Sequence, residues 1–200
     1  MKLRHLRIEQ LRQFRTPLVV DDFADGINLF TGPNESGKST LVRALRAAFF
    51  EKHRSTSVED LQPHGDSSAG PRISIGFDWQ GERWQLDKGF LRSKRCDLRI
   101  GNRQLSGDDA EAALSEWLGY QYPGRGASKA EHWGIPGLLW IEQGEGQEVR
   151  GPASHAREHL HAALGSAFSD IASSAGDRVL QDVERQRHEL LTAGKSQPTG

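Results

Sequence analysis

Apolar residues alternate with polar ones around Leu6 and Ile8, cluster at residues 18–20, and cluster again at residues 27–30. Each run is short and bounded by polar or turn residues, which predicts strands. Over residues 38–50, KSTLVRALRAAFF, the period changes. Leu41, Leu45 and Ala48 share a helical face there, Val42 and Phe49 flank it, and no Gly or Pro interrupts it. Residues 62–71 have the composition of a loop. Alternation returns with Ile73, Ile75, Phe77 and Trp79 set against Ser74, Gly76 and Asp78. Trp84 and Leu86 follow a turn at Gly81, so the pair reads as a hairpin. Leu98 and Ile100, then Leu105, flank Gly101-Asn102 and predict a second hairpin. Residues 108–118 predict a helix with acids in its first turn and Gly119 just past its end. Residues 119–129 are a Gly-rich connection, and residues 138–146, LLWIEQGEG, predict a short buried strand entering a turn. Beyond residue 154 the pattern is helical and polar, with Val179, Val183 and Leu190 on one stripe.

Composition narrows the class. A chain of 200 residues with 36% hydrophobic and 26% charged residues is ordinary for a globular protein and is long enough for one substantial domain with a real core, or one domain plus an appendage. The net charge of −1 offers no global attraction for a polyanion, so any such surface must be a local patch. Cys96 is the one cysteine, which excludes an internal disulfide and favours a reducing compartment. No apolar run approaches the roughly 20 residues that span a bilayer, and the N-terminus has no apolar core of a secretion signal. These features predict a cytoplasmic protein without membrane contact.

The chemistry lies in residues 32–39, GPNESGKS, which fit G-x-x-x-x-G-K-[ST]. Gly32 and Gly37 permit torsions and close approach that a side chain would block. The amides around Glu35, Ser36 and Ser39 would turn inward as a nest before a helix N-terminus, where phosphate oxygens bind. Lys38 supplies a cation for the β- and γ-phosphates, and the Ser39 hydroxyl a ligand for Mg²⁺. An apolar run precedes the loop and an amphipathic helix follows it, as the motif requires. Phosphate binding, with ATP and Mg²⁺ as cofactors, is the firmest expectation, carried by Gly32, Asn34, Glu35, Ser36, Gly37, Lys38, Ser39 and Thr40.

With strand and loop placed, the whole stretch from MKLRHLRIEQ to the helix resembles the opening of SMC-superfamily head ATPases, especially the SbcC branch and YhaN-like relatives. Gly26-Ile27-Asn28 and Gly32-Pro33-Asn34-Glu35 match that family closely, whereas Gln10-Leu11-Arg12 only partly matches its Asn-Phe-Arg element. The resemblance implies an α/β P-loop NTPase fold: residues 1–150 as the N-terminal lobe of an ABC-type head with an antiparallel β-subdomain, residues 151–192 as the root of a coiled-coil arm, and residues 193–200 as a disordered tail. It makes LLWIEQGE a Q-loop, with Gln143 the second protein ligand to Mg²⁺, a role suited to a neutral amide oxygen. It also places Arg12 beside the nucleotide; read from the residues alone, Arg12 is equally a solvated charge, and Arg15 is better read that way.

The resemblance further implies function: an ATPase of DNA repair, chromosome handling or phage defence, in which ATP drives head dimerisation. The expected partners are a C-terminal half of the head, a second head, DNA and a nuclease. The acidic strand carrying a catalytic Glu is not found. Residues 73–78, ISIGFD, come nearest, but Trp79 stands where Glu should. Leu105-Ser106-Gly107-Asp108-Asp109 looks like the LSGGQ signature, yet its acids would repel phosphate. We therefore expect no catalytic residue within this chain, and hydrolysis only when a C-terminal half completes it. The alternative reading is a stand-alone ATP-sensing or interaction module. His155 and His159 fit H-x-x-E-H but read better as a solvated helix face.

Overall fold

The computed structural model describes residues 1–120 together with Tyr122, Lys129, Trp133, Trp140 and Gly165. Period-two patterning produces six strands: β1 (Lys2–Glu9), β2 (Leu18–Val20), β3 (Arg72–Trp79), β4 (Glu82–Gly89), β5 (Arg95–Ile100) and β6 (Arg103–Ser106). They form one antiparallel sheet in the order β2-β1-β3-β4-β5-β6. Both predicted hairpins are present, β3–β4 and β5–β6. In the first, Gln80 and Gly81 both take positive φ (50° and 82°), the turn whose twist matches paired strands.

Register sorts the two faces. Leu6, Ile75, Leu86, Leu98 and Leu105 stand in one cross-strand row, and Arg7, Ser74, Asp87 and Asp97 in the next. The apolar rows are covered by two helices, α1 (Lys38–Phe50) and α2 (Gly107–Leu118). Phe77 of β3 joins them, meeting Phe49 of α1 at 6.0 Å and stacking on Trp117 of α2 at 5.2 Å between ring centroids. Burial of these rows, rather than helix propensity, holds a 13-residue helix in place.

One charge lies in the apolar rows. Lys88 sits in the row of Ile8, Ile73 and Cys96 and is fully buried. Its Nζ donates to the carbonyl of Ala48 at 3.1 Å, near the C-terminal end of α1 where the helix dipole favours a cation. It also lies 3.4 Å from Glu111 Oε1 of α2. The same Glu111 oxygen accepts the His53 amide at 2.6 Å and faces His53 Nδ1 at 3.0 Å. Burial pushes the Lys88 ammonium below its ordinary value, an effect that the charges of Cys96 and Glu111 oppose.

The structure corrects one expected strand. Residues 27–30 join none of the six strands, and Ile27 and Leu29 are 96% and 82% exposed. A strand must satisfy its N–H and C=O groups against a neighbour, and none of the six strands runs beside this segment. Asn28 instead closes a local turn, its side chain bonding the backbone of Ala24 and Gly26. Residues 138–146 with Gln143, the helical segment 151–192 with His155 and His159, and the tail 193–200 lie outside the described residues. Among the described residues no helix is long and apolar enough to cross a membrane.

Candidate functional site

The loop of residues 32–40 runs into the first turn of α1, with Gly37 as the residue before the helix at φ 98°. A Cβ there would stand 2.4 Å from both Gln13 Nε2 and Phe14 Cζ, so the loop is pressed against the turn formed by residues 10–15. A Cβ on Gly32 would come within 2.9 Å of Ser36 Oγ. Glu35, a non-glycine, also takes a left-handed conformation at φ 64°. Left-handed residues alternating with right-handed ones just before a helix are how backbone amides are gathered into an anion-binding nest. The first helical amides, of Lys38, Ser39 and Thr40, have no carbonyl of their own helix to bond.

Lys38 closes the loop on itself. Its Nζ donates to the carbonyls of Gly32 at 2.8 Å and Pro33 at 2.7 Å and lies 3.5 Å from Ser36 Oγ. The ammonium is thereby held over the loop on a flexible stem. Asn34, Glu35, Ser36 and Ser39 are exposed. The Thr40 side chain is buried, and its hydroxyl donates to Gln13 Oε1 at 3.0 Å. What Thr40 offers a ligand is its amide, not its hydroxyl.

The turn against the loop is built by paired bonds between Leu11 and Phe14, at 3.0 and 2.9 Å, with Gln10 and Arg12 at positive φ. Arg12 is tied to the 3-10 turn at Glu59–Leu61. Its amide donates to the Leu61 carbonyl, its Nε to the Asp60 carbonyl and its Nη2 to Asp60 Oδ2, each at 2.9 Å. Arg43 of α1 grips the other side of Asp60, Nε to Oδ2 at 3.0 Å and Nη2 to Oδ1 at 2.9 Å. Burial pushes the Asp60 carboxyl up, but the bonds and charges of Arg43 and Arg12 outweigh it and hold it below the usual range. A cavity of about 910 Å³ opens beside this turn, lined in part by Arg12, Gln13, Arg15, Asp60 and His64. Arg15 remains mostly exposed, bonded to the His64 carbonyl at 3.0 Å.

The loop residues expected from the sequence lie together at the start of α1, and the turn that carries Arg12 packs against Gly37 through Gln13 and Phe14. Two residues that the sequence reading passed over also belong here. Gln13 contacts both Gly37 and Thr40, and Asp60 joins Arg12 to α1. Neither lies in the motif, and Asp60 stands 48 positions from Arg12.

Residues 5–100 match the AAA domain family. Over 119 residues the chain is 29% identical to the DNA double-strand break repair Rad50 ATPase of Methanosarcina acetivorans, covering 58% of this chain. Over 100 residues it is 25% identical to Structural maintenance of chromosomes protein 3 of Arabidopsis thaliana, covering 48% of this chain. This stretch is the N-terminal part of an SMC-superfamily ATPase head. The matched region spans only 11% and 8% of those two relatives. The SMC head domain from Thermotoga maritima superposes with a TM-score of 0.38 at 25% identity, over 52% of this chain and 39% of that one.

The two segments that come nearest to the missing motifs have defined places in the fold. Residues 105–109 form the junction of β6 and α2, and Asp108 and Asp109 occupy the first turn of that helix, where its dipole favours acids. Asp78, at the end of ISIGFD, lies on β3 inside the hairpin and accepts Arg4 Nε at 2.7 Å.

Proposed function

We propose that this head binds ATP with Mg²⁺ at residues 32–40 and serves an SMC-like ATPase that acts on DNA, in repair, chromosome handling or phage defence. The observation that carries the reading is the loop itself: left-handed Glu35 and Gly37, no room for a Cβ at Gly37, the helix-start amides of Lys38, Ser39 and Thr40, and the Lys38 ammonium, all within residues 32–40. Each of these recognises phosphate, and together they suit a polyphosphate better than a single anion. Mg²⁺ would supply charge neutralisation between the phosphates, and the exposed Ser39 hydroxyl is the group placed to hold it. Gln143 is proposed as the second ligand. The 38%-exposed Arg12 side chain lines the cavity beside the turn at residues 10–15, and the family resemblance is what brings it to the nucleotide.

The head reading extends to partners. Ile27 and Leu29, exposed next to the loop, form an extended apolar segment of the kind that a neighbouring strand covers. We assign that cover to a C-terminal half of the head, and ATP-driven pairing of two completed heads as the output. Calorimetry tests the foundation. ATP·Mg²⁺ should bind the wild-type chain, and Lys38→Ala should remove most of the affinity. Equal binding by the two would end the phosphate-loop assignment.

A further inference from the structure

The geometry assigns Asp60 as the residue that positions Arg12 for the nucleotide, with Arg43 of the phosphate-loop helix as its base. The inference rests on the ATP reading above and adds to it a residue that no motif marks. It starts from how Arg12 is held. Three bonds of 2.9 Å tie it down: the main-chain amide to the Leu61 carbonyl, and the guanidinium through Nε to the Asp60 carbonyl and Nη2 to Asp60 Oδ2. Carbonyls of a fixed turn are not displaced by an arriving phosphate, so this is a permanent mount. It uses the Nε–Nη2 edge of the guanidinium, while Nη1 has no hydrogen-bond partner among the described residues. An arginine fork gripped along one edge presents its other edge in a fixed direction.

The mount has a foundation in α1. The Arg43 side chain is only 11% exposed and takes both carboxylate oxygens of Asp60, leaving Oδ2 shared between the two arginines. Arg43 lies on the helix that begins with Lys38, so α1 carries both the phosphate loop and the support of Arg12. Arg12 and Lys38 therefore keep a set spacing, although Arg12 belongs to a turn that precedes the loop by some twenty residues.

Two effects compete at Asp60, and they predict opposite signs. As a negative charge near a polyanion it should weaken binding, whereas as a positioner it should strengthen it. Asp60→Glu separates them because it keeps the charge and moves the carboxylate by one methylene. Asp60→Glu disturbs the Nη2 bond and leaves the guanidinium held by Nε on the residue-60 carbonyl alone, which restores part of the cost of ordering it on binding, so ATP·Mg²⁺ affinity should weaken about three- to tenfold. In an Arg12→Ala background the same substitution should change affinity by less than about twofold, because nothing remains to be positioned.

The experiment is calorimetric titration of the full 200-residue chain with ATP·Mg²⁺, for wild type, Asp60→Glu, Arg12→Ala and the double variant, with a melting curve for each. Disappearance of the Asp60→Glu effect in the Arg12→Ala background supports positioning, since a purely structural defect would persist there. Unchanged or tighter binding by folded Asp60→Glu overturns the inference, as does an equal loss in both backgrounds. If Asp60→Glu fails to fold, Asp60→Asn enters the same cycle with the same criterion. A wild type that does not bind ATP overturns the nucleotide reading itself, an outcome distinct from all of these.

Discussion

Replacing Gly37 by alanine tests how tightly the loop is built into the fold. Gly37 has φ 98°, where an L-residue is strained, and its Cβ would stand 2.4 Å from Gln13 Nε2, 2.4 Å from Phe14 Cζ and 2.7 Å from Phe14 Cε2. The Gln13 amide can swing aside, although it then releases the Thr40 hydroxyl. The Phe14 ring packs against the core and cannot retreat as cheaply. Gly81 provides the control: its φ is 82°, but nothing lies within 4 Å of its Cβ position. Left-handed strain alone costs about 1–2 kcal/mol, and overpacking adds about 1–3 kcal/mol. Gly81→Ala should therefore lose about 1 kcal/mol and Gly37→Ala about 3 kcal/mol, of which the difference of about 2 kcal/mol is the steric part. For a domain of this size the larger loss lowers Tm by roughly 6–12 °C. Urea unfolding followed by tryptophan emission is the assay, because Trp84 and Trp117 meet at 4.9 Å between ring centroids, their planes tilted by 30°, and part on unfolding. If Gly37→Ala falls within about 0.5 kcal/mol of Gly81→Ala, the loop is not pressed against the Gln13–Phe14 turn and the argument fails.

Two further outcomes follow from burial and exposure. Glu111→Leu strips the buried Lys88 ammonium of its carboxylate and should cost about 3–5 kcal/mol; adding Lys88→Met should restore much of it, and a double variant as unstable as the single would refute the pairing. Ile27→Ser with Leu29→Ser should change stability by less than about 0.5 kcal/mol, because both side chains already face solvent. In sedimentation with a C-terminal half, wild type should form dimers with ATP but not with ADP, and the double variant should not associate. Identical oligomers with either nucleotide, or normal association of the variant, would remove the proposed assembly.

Where the pattern was local, it was legible. The loop announces itself because each position of the motif has a local duty: glycines for torsion and closeness, a lysine for charge, a hydroxyl at the helix start. Helix α1, both hairpins and α2 were readable for the same reason, since periods of 3.6 and 2 and turn residues act over a few neighbours. Residues 27–30 show the limit. Their apolar run carries the signal of a strand, but a strand exists only beside a partner, and the six strands formed here do not include one. Lys88 shows it from the other side: its alternation places it on the apolar face, and only the approach of Ala48 and Glu111 makes a buried cation tolerable there. Gln13 takes the Thr40 hydroxyl from outside the motif, and Asp60 sits in a stretch with no pattern at all until folding brings it between Arg12 and Arg43. The sequence by itself determined the phosphate loop and the elements around it, because those depend on torsions and periods within a turn or two. Only the tertiary structure decided which side chains the loop leans on, because hydrogen bonds and ion pairs form between groups that distant segments bring within 3 Å, and spacing along the chain holds no record of that.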